Sequence, residues 1–172
     1  KARAVCLSWA TEPLISPEFI PALRLARQMG VPDISVVTNG KLLDQAIAEA
    51  MVEYGLTRLI VSMDGSRAEI YEPIRRGGSF NRLLSNLQGI QRVRERSGAR
   101  LPRLELNAVV LRDNLHDLAS IVDRASQIGA DQVNFLEPFL FDGLDTENRL
   151  ISHNPSTEIQ AAIRLAQARG AT

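Results

Sequence analysis

Glu12, Asn39, Ser62, Asp64 and Asn107 fall at or near the ends of apolar runs, as do Asn134 and Glu137 further along the chain. Carboxylates accept hydrogen bonds from an ammonium group, while serine hydroxyls and asparagine amides both donate and accept. Gathered on one rim, such side chains could hold a polar small molecule that carries an amine and sugar hydroxyls. They contain no evident nucleophile–base pair. The two histidines, His116 and His153, lie at a helix start and in a late loop, so neither serves Ser62 in a Ser-His-Asp arrangement. Their spacing from carboxylates gives no support for a zinc or iron site.

What would bring these residues together is a repeated pattern. The apolar run at 59–63 contains Ser62 and ends in Asp64-Gly65. The run at 5–9 leads into Thr11-Glu12-Pro13, the run at 34–37 into Thr38-Asn39-Gly40, and the run at 133–136 into Glu137-Pro138. In parallel α/β proteins ligands bind outside the carboxyl ends of the strands, so four such endings predict one shared rim.

Between the runs the helical period takes over. Ser16-Pro17-Glu18 supplies an N-cap, a proline and an early acid for a first helix with Phe19, Leu23 and Ala26 on one face, ended by Gly30. Pro21 falls within its first turn, where proline is tolerated. A second helix is predicted over 42–54, stopping at Gly55, and the stretch 66–79 reads as a long connection containing Arg75-Arg76-Gly77-Gly78. That loop lacks the Lys-Ser/Thr ending of a phosphate-binding P-loop. From Phe80, Leu83, Leu87, Ile90 and Arg94 share one line of a helix closed at Ser97-Gly98. The longest strand is predicted at 104–111, with Glu105 and Asn107 on the same side of its alternation. Asp113 or Asn114 is the expected cap of the next helix, whose core face holds Leu115, Leu118, Val122 and Ala125 and whose end is Gly129. The last helix is expected over 157–169, closed by Gly170. Mid-strand Cys6 reads as a small buried residue.

This is β-α five times over, at roughly 30 residues per unit, which requires right-handed crossovers and a parallel sheet. A doubly wound sheet and a slice of a (β/α) barrel both fit. The barrel slice is preferred, because no Gly-x-Gly-x-x-Gly turn follows the first strand and the repeats show no reversal. The 172 residues suffice for one domain with a sizeable core. With 20 basic and 20 acidic residues in no like-charged block, neither nucleic acid nor a membrane surface is an expected partner. One cysteine excludes an intrachain disulfide framework and a cysteine-built cluster, and no signal peptide or long apolar span is seen, so a cytoplasmic location is expected. The chain enters a strand within a few residues of Lys1 and stops at Thr172 where another strand would be due, which reads as a truncated piece of a larger domain.

Taken together, Thr11-Glu12-Pro13-Leu14, Thr38-Asn39-Gly40 with Leu42-Leu43, and Ser62-x-Asp64-Gly65 followed by Tyr71, Ile74-Arg75, Gly78-x-Phe80 and Asn86 resemble the radical S-adenosylmethionine (SAM) enzymes. Asn114-Leu115-x-x-Leu118 and Gly129-Ala130-Asp131-x-Val133 continue the likeness, which covers nearly the whole chain as strands two to six of that family's partial TIM-type barrel. The resemblance implies two cofactors, SAM and a 4Fe-4S cluster held by a CxxxCxxC loop. Electron transfer from the cluster cleaves SAM and starts hydrogen abstraction from a substrate. That loop is not in this chain, so its cysteines are expected upstream in a longer parent. By the same resemblance Thr11, Glu12 and Pro13 meet the SAM amino group, Thr38 and Asn39 of the neighbouring rim motif are cofactor-binding as well, Ser62 and Asp64 meet the ribose, Arg75 meets the SAM carboxylate, and Asn107 with 133–137 lines the adenine or substrate side. The family prefers glycine where this chain has Trp9, Ala10 and Thr11.

The implied parent is an enzyme acting on a substrate such as a peptide or protein, served by an electron donor, whereas this chain alone would be inactive. Two alternatives remain at this level: a cluster-free nucleoside or SAM-binding module, and an unrelated (β/α)-barrel enzyme for a small polar metabolite. Missing neighbouring strands would leave an open sheet edge and promote self-association.

Overall fold

A computed structural model describes residues 2–8, 11–137 and 157–170. Five parallel strands, β1 (Ala4–Cys6), β2 (Asp33–Thr38), β3 (Arg58–Ser62), β4 (Arg103–Val109) and β5 (Gln132–Leu136), form one sheet in the order 1-2-3-4-5. Sequence order equals spatial order, so every crossover steps the same way and the sheet has no reversal point. This is the barrel-slice alternative, in which alternate residues of each strand face a helical layer and the others face the concave side.

The strand sequences account for those two faces. Ile34 and Val36, Leu59 and Val61, and Leu104 and Leu106 are all buried in the core. They pack beneath α1 (Phe19–Gln28), α2 (Gln45–Glu53), α4 (Phe80–Ser97) and α5 (Leu118–Ile128), whose own stripes are Leu23, Met51, Leu87 and Ile121. The alternate positions are mostly polar: Ser35, Arg58, Ser62, Glu105, Asn107 and Asn134. An apolar side therefore anchors the sheet and a polar side is left for ligands.

Several local expectations are corrected. The first strand is Ala4–Cys6 and stops within the apolar run at 5–9, and Trp9 and Ala10 lie outside the described residues. Cys6 is exposed, because β1 is an edge strand and the concave face beside it carries no helix. The first helix begins at Phe19 with Glu18 at its N-cap position; the Ser16 hydroxyl accepts only from the Glu18 N–H, at 3.2 Å. The second helix starts at Gln45, because Asp44 is the side-chain cap, accepting from the Ile47 N–H at 2.9 Å. The 66–79 connection contains a helix, α3 (Ala68–Ile74), with Ile70 and Tyr71 buried. Neither Asp113 nor Asn114 caps α5 through its side chain; a 3-10 turn, Leu115–Asp117, precedes that helix. The longest strand ends at Val109 instead of 111. Gly170 lies within the final helix, α6 (Thr157–Gly170). The α4 and α5 ends match expectation, with Gly98 and Gly129 in the left-handed conformation at φ 60° and 75°.

Candidate functional site

At the first two strand ends, Glu12 forms a knot. Its Oε1 accepts from the Thr38 hydroxyl at 2.6 Å and from the Leu14 N–H at 3.2 Å, and its Oε2 accepts from the Asn39 N–H at 2.8 Å. Pro13 opens a 3-10 turn immediately after it, which fixes the chain direction there. Thr38 is buried and its oxygen also accepts from the Gly40 N–H, while Asn39 closes an Asx turn onto the Lys41 N–H at 2.9 Å. Asn86 from α4 donates to the Gly40 carbonyl at 2.7 Å. Three of the roughly four acceptor positions of the Glu12 carboxylate are thus occupied, leaving Oε2 room for one further donor.

Past β3 the chain is stapled to the loop after β4. Asp64 is only 2% exposed; its Oδ1 accepts from the Val109 N–H at 2.7 Å and its Oδ2 is paired with Arg75 Nε. Asn114, fully buried, donates to the Asp64 and Val109 carbonyls at 2.9 and 2.8 Å and accepts from the Leu111 N–H at 2.8 Å. Asp117 accepts from both the N–H and the hydroxyl of Ser66 at 2.7 Å. Asn114 is therefore a clasp between two loops, and that clasp is what its residue type serves. Gly65 fits here because a Cβ would stand 2.7 Å from the Tyr71 backbone nitrogen. Tyr71 is buried with its ring 5.6 Å from that of Phe80, and burial raises its phenol above the usual pKa.

Between these two knots lies a polar row. Ser62, Asn107 and Asn134 are direct register partners across β3, β4 and β5. All three are half-buried on the concave side, and Asn134 donates to the Asn107 oxygen at 2.9 Å. Ser62 carries a hydroxyl with no hydrogen-bond partner among the described residues. Below the row, toward the strand starts, Arg58 is paired with Asp33 at 2.9 Å.

The structure thus brings Glu12, Pro13, Thr38 and Asn39 into one cluster, Asp64 and Arg75 into a second, and Ser62 and Asn107 onto the concave row. Thr11 is exposed beside the first cluster. Asp64 and Arg75 spend their charges on each other. Sequence reasoning did not find the clasp made by Asn86, Asn114 and Asp117, because their partners are 46, 50 and 51 residues away in the chain. His116 is exposed, and His153 lies outside the described residues. Among the described residues no three His, Cys, Asp or Glu side chains gather as a metal site, and no helix is long and apolar enough to cross a membrane.

A family model described as "Radical SAM superfamily" matches residues 2–125. The chain belongs to the radical SAM superfamily. Its curated relatives include the GTP 3',8-cyclase of Limosilactobacillus fermentum, 32% identical over 107 residues, which are 62% of this chain and 30% of that protein. The probable GTP 3',8-cyclase of Methanocaldococcus jannaschii is 31% identical over 69% of this chain and 38% of its own length, and the AdoMet-dependent heme synthase of Methanosarcina barkeri is 30% identical over 69% and 32%. This radical SAM chain spans about a third of the length of these relatives. Among solved structures, a domain of pyruvate-formate lyase-activating enzyme from Bacteroides vulgatus superposes with a TM-score of 0.70 at 17% identity, covering 96% of this chain and 94% of that one. SuiB of Streptococcus suis bound to S-adenosylmethionine gives 0.65 at 13% identity, covering 81% and 30%. At these identities the structural likeness shows the shared radical SAM fold, a partial TIM barrel.

SAM and a 4Fe-4S cluster are the cofactors of full-length members of the superfamily. The residues of this chain fit the first: one open acceptor position on Glu12 for an ammonium, and a free Ser62 hydroxyl beside Asn107 for sugar hydroxyls. They do not fit the second, since one cysteine cannot supply a three-cysteine loop.

Proposed function

We propose that this chain is the SAM-binding part of a radical SAM enzyme. In this reading a cluster held by cysteines outside these 172 residues would supply the electron for SAM cleavage. The chain's own residues bind and orient. Glu12, fixed in position by Thr38, Asn39 and Leu14, offers its remaining Oε2 acceptor to the SAM ammonium. Ser62 and Asn107 face the ribose. Asp64 acts indirectly, holding Arg75 and the loop after β4 so that the rim keeps its shape. Arg75 keeps part of its guanidinium edge, with 31% of its side chain exposed, for the SAM carboxylate.

The observation that carries this reading is the Ser62 hydroxyl, unpartnered among the described residues, in register with Asn107 within a chain whose residues 2–125 match the superfamily. Titration of SAM into the protein tests it. Ser62→Ala and Glu12→Gln are each expected to weaken SAM binding by about 1–3 kcal/mol, the range for removing a partner from a polar or charged group. Unchanged affinity in both variants would refute the assignment. Relatives carry names that point to a nucleotide substrate, and SuiB has been solved bound to a precursor peptide. For this protein we favour a peptide or protein, for the reason of charge developed below.

A further inference from the structure

Glu105 is a mostly buried residue whose carboxylate has no partner among the described residues. It lies between Leu104 and Leu106, both packed in the core, so strand alternation turns it to the concave side of β4. It is 5% exposed, and among the described residues it makes no hydrogen bond and no ion pair. No donor of the neighbouring strands bonds it. Arg58 gives its Nε and Nη2 to Asp33 at 3.2 and 2.9 Å, and its guanidinium is held above the ordinary pKa first by that contact and more weakly by the Glu105 charge. Gln132, the register partner of Glu105 on β5, donates its amide to Asn134 at 2.5 Å. Ile60, the partner on β3, has nothing to donate.

Its oxygens keep contact with solvent on that side, and a mostly buried carboxylate that meets no protein donor is ordinarily paired by something entering from solvent. Glu105 is two residues earlier on β4 than Asn107, roughly 6.6 Å deeper along the strand. A molecule seated on the Ser62–Asn107–Asn134 row would extend toward it. We infer that Glu105 is a specificity-determining residue that receives an organic cation of the substrate, a primary ammonium or guanidinium group, and that disfavours polyanionic substrates. The inference rests on the reading of the concave face as the ligand-bearing side. It narrows the substrate to molecules with a basic group, such as a lysine- or arginine-containing peptide, and away from nucleoside triphosphates.

The test uses three probes on the 172-residue protein: Nα-acetyl-lysine amide, its neutral counterpart Nα-acetyl-norleucine amide, and GTP. Binding is followed by NMR through the side-chain amide signals of Asn107 and Asn134. The lysine probe is expected to give saturable shifts that the norleucine probe and GTP do not. Glu105→Gln, close in shape and uncharged, should weaken the lysine probe about tenfold, whereas Glu105→Asp should keep the preference for lysine over norleucine. Equal binding of lysine and norleucine probes, an unchanged lysine affinity in Glu105→Gln, or GTP binding that exceeds the lysine probe would overturn the inference. SAM titrated into the same samples reports on the rim separately. Loss of SAM binding there counts against the proposed function, and the amine titrations alone decide the role of Glu105.

Discussion

Ser62 and Asp64 are two positions apart and do different work. Ser62 presents a free hydroxyl on the concave row, whereas Asp64 is buried with Oδ1 on the Val109 N–H and Oδ2 on Arg75. Removing the Asp64 carboxylate strands the Val109 donor and a partly buried guanidinium. Asp64→Ala is therefore expected to cost about 3 kcal/mol in urea unfolding, the lower end for a broken buried pair because Arg75 is 31% exposed. Ser62→Ala should change stability by no more than about 0.5 kcal/mol, since its hydroxyl has no partner among the described residues to lose. A large loss for Ser62→Ala, or none for Asp64→Ala, would show that the roles are reversed.

At the scale of elements, the turn from β3 into α3 depends on a close backbone approach. A methyl group at Gly65 would stand 2.7 Å from the Tyr71 nitrogen and 3.0 Å from its Cα, neither of which can swing aside as a flexible side chain would. Gly65→Ala should cost about 1–3 kcal/mol, read as a lower urea midpoint with an unchanged slope. β2 and β3 are further tied by Asp33, whose carboxyl is held below its usual value by the Arg58 hydrogen bond and then by Thr57, against burial. A depressed folded pKa means that the contribution is fully present above the unfolded value, near 3.8, and disappears as pH falls through the lower folded value. Both partners are more than a third exposed, so the pair contributes about 1 kcal/mol or less. The stability gap between wild type and Asp33→Asn should accordingly be open at neutral pH and close in strong acid. A gap that widens on acidification would contradict the pairing.

For the whole molecule, the sheet order leaves β1 and β5 as the outer strands of the described sheet, each with one unpaired edge. β1 is only three residues long, with Ala4 and Cys6 exposed, and little covers it. Open edges recruit further strands, so concentration-dependent association in sedimentation velocity is expected. A single slow-moving species across a wide concentration range would count against an active edge.

The sequence by itself determined the repeating β-α order, the helix stripes of Leu23, Leu87 and Ala125, and the strand-end positions of Glu12, Ser62 and Asn107, because each depends on local periodicity or on motifs short enough to read in one pass. It misplaced what depends on partners far along the chain. Helix α3 was hidden in the 66–79 connection because its seven residues include Pro73 and bury little more than Ile70 and Tyr71. Cys6 was expected inside, yet strand position says nothing about whether a neighbour covers that side. Asn114 looked like a helix cap and is a loop clasp, and the pairing of Asp64 with Arg75 was not legible from their positions in the chain. Glu105 was visible as a polar residue in an apolar strand, but only the tertiary structure showed that Arg58 and Gln132 turn elsewhere. Periodicity fixes which way a side chain points, and long-range packing decides which charges remain for a ligand.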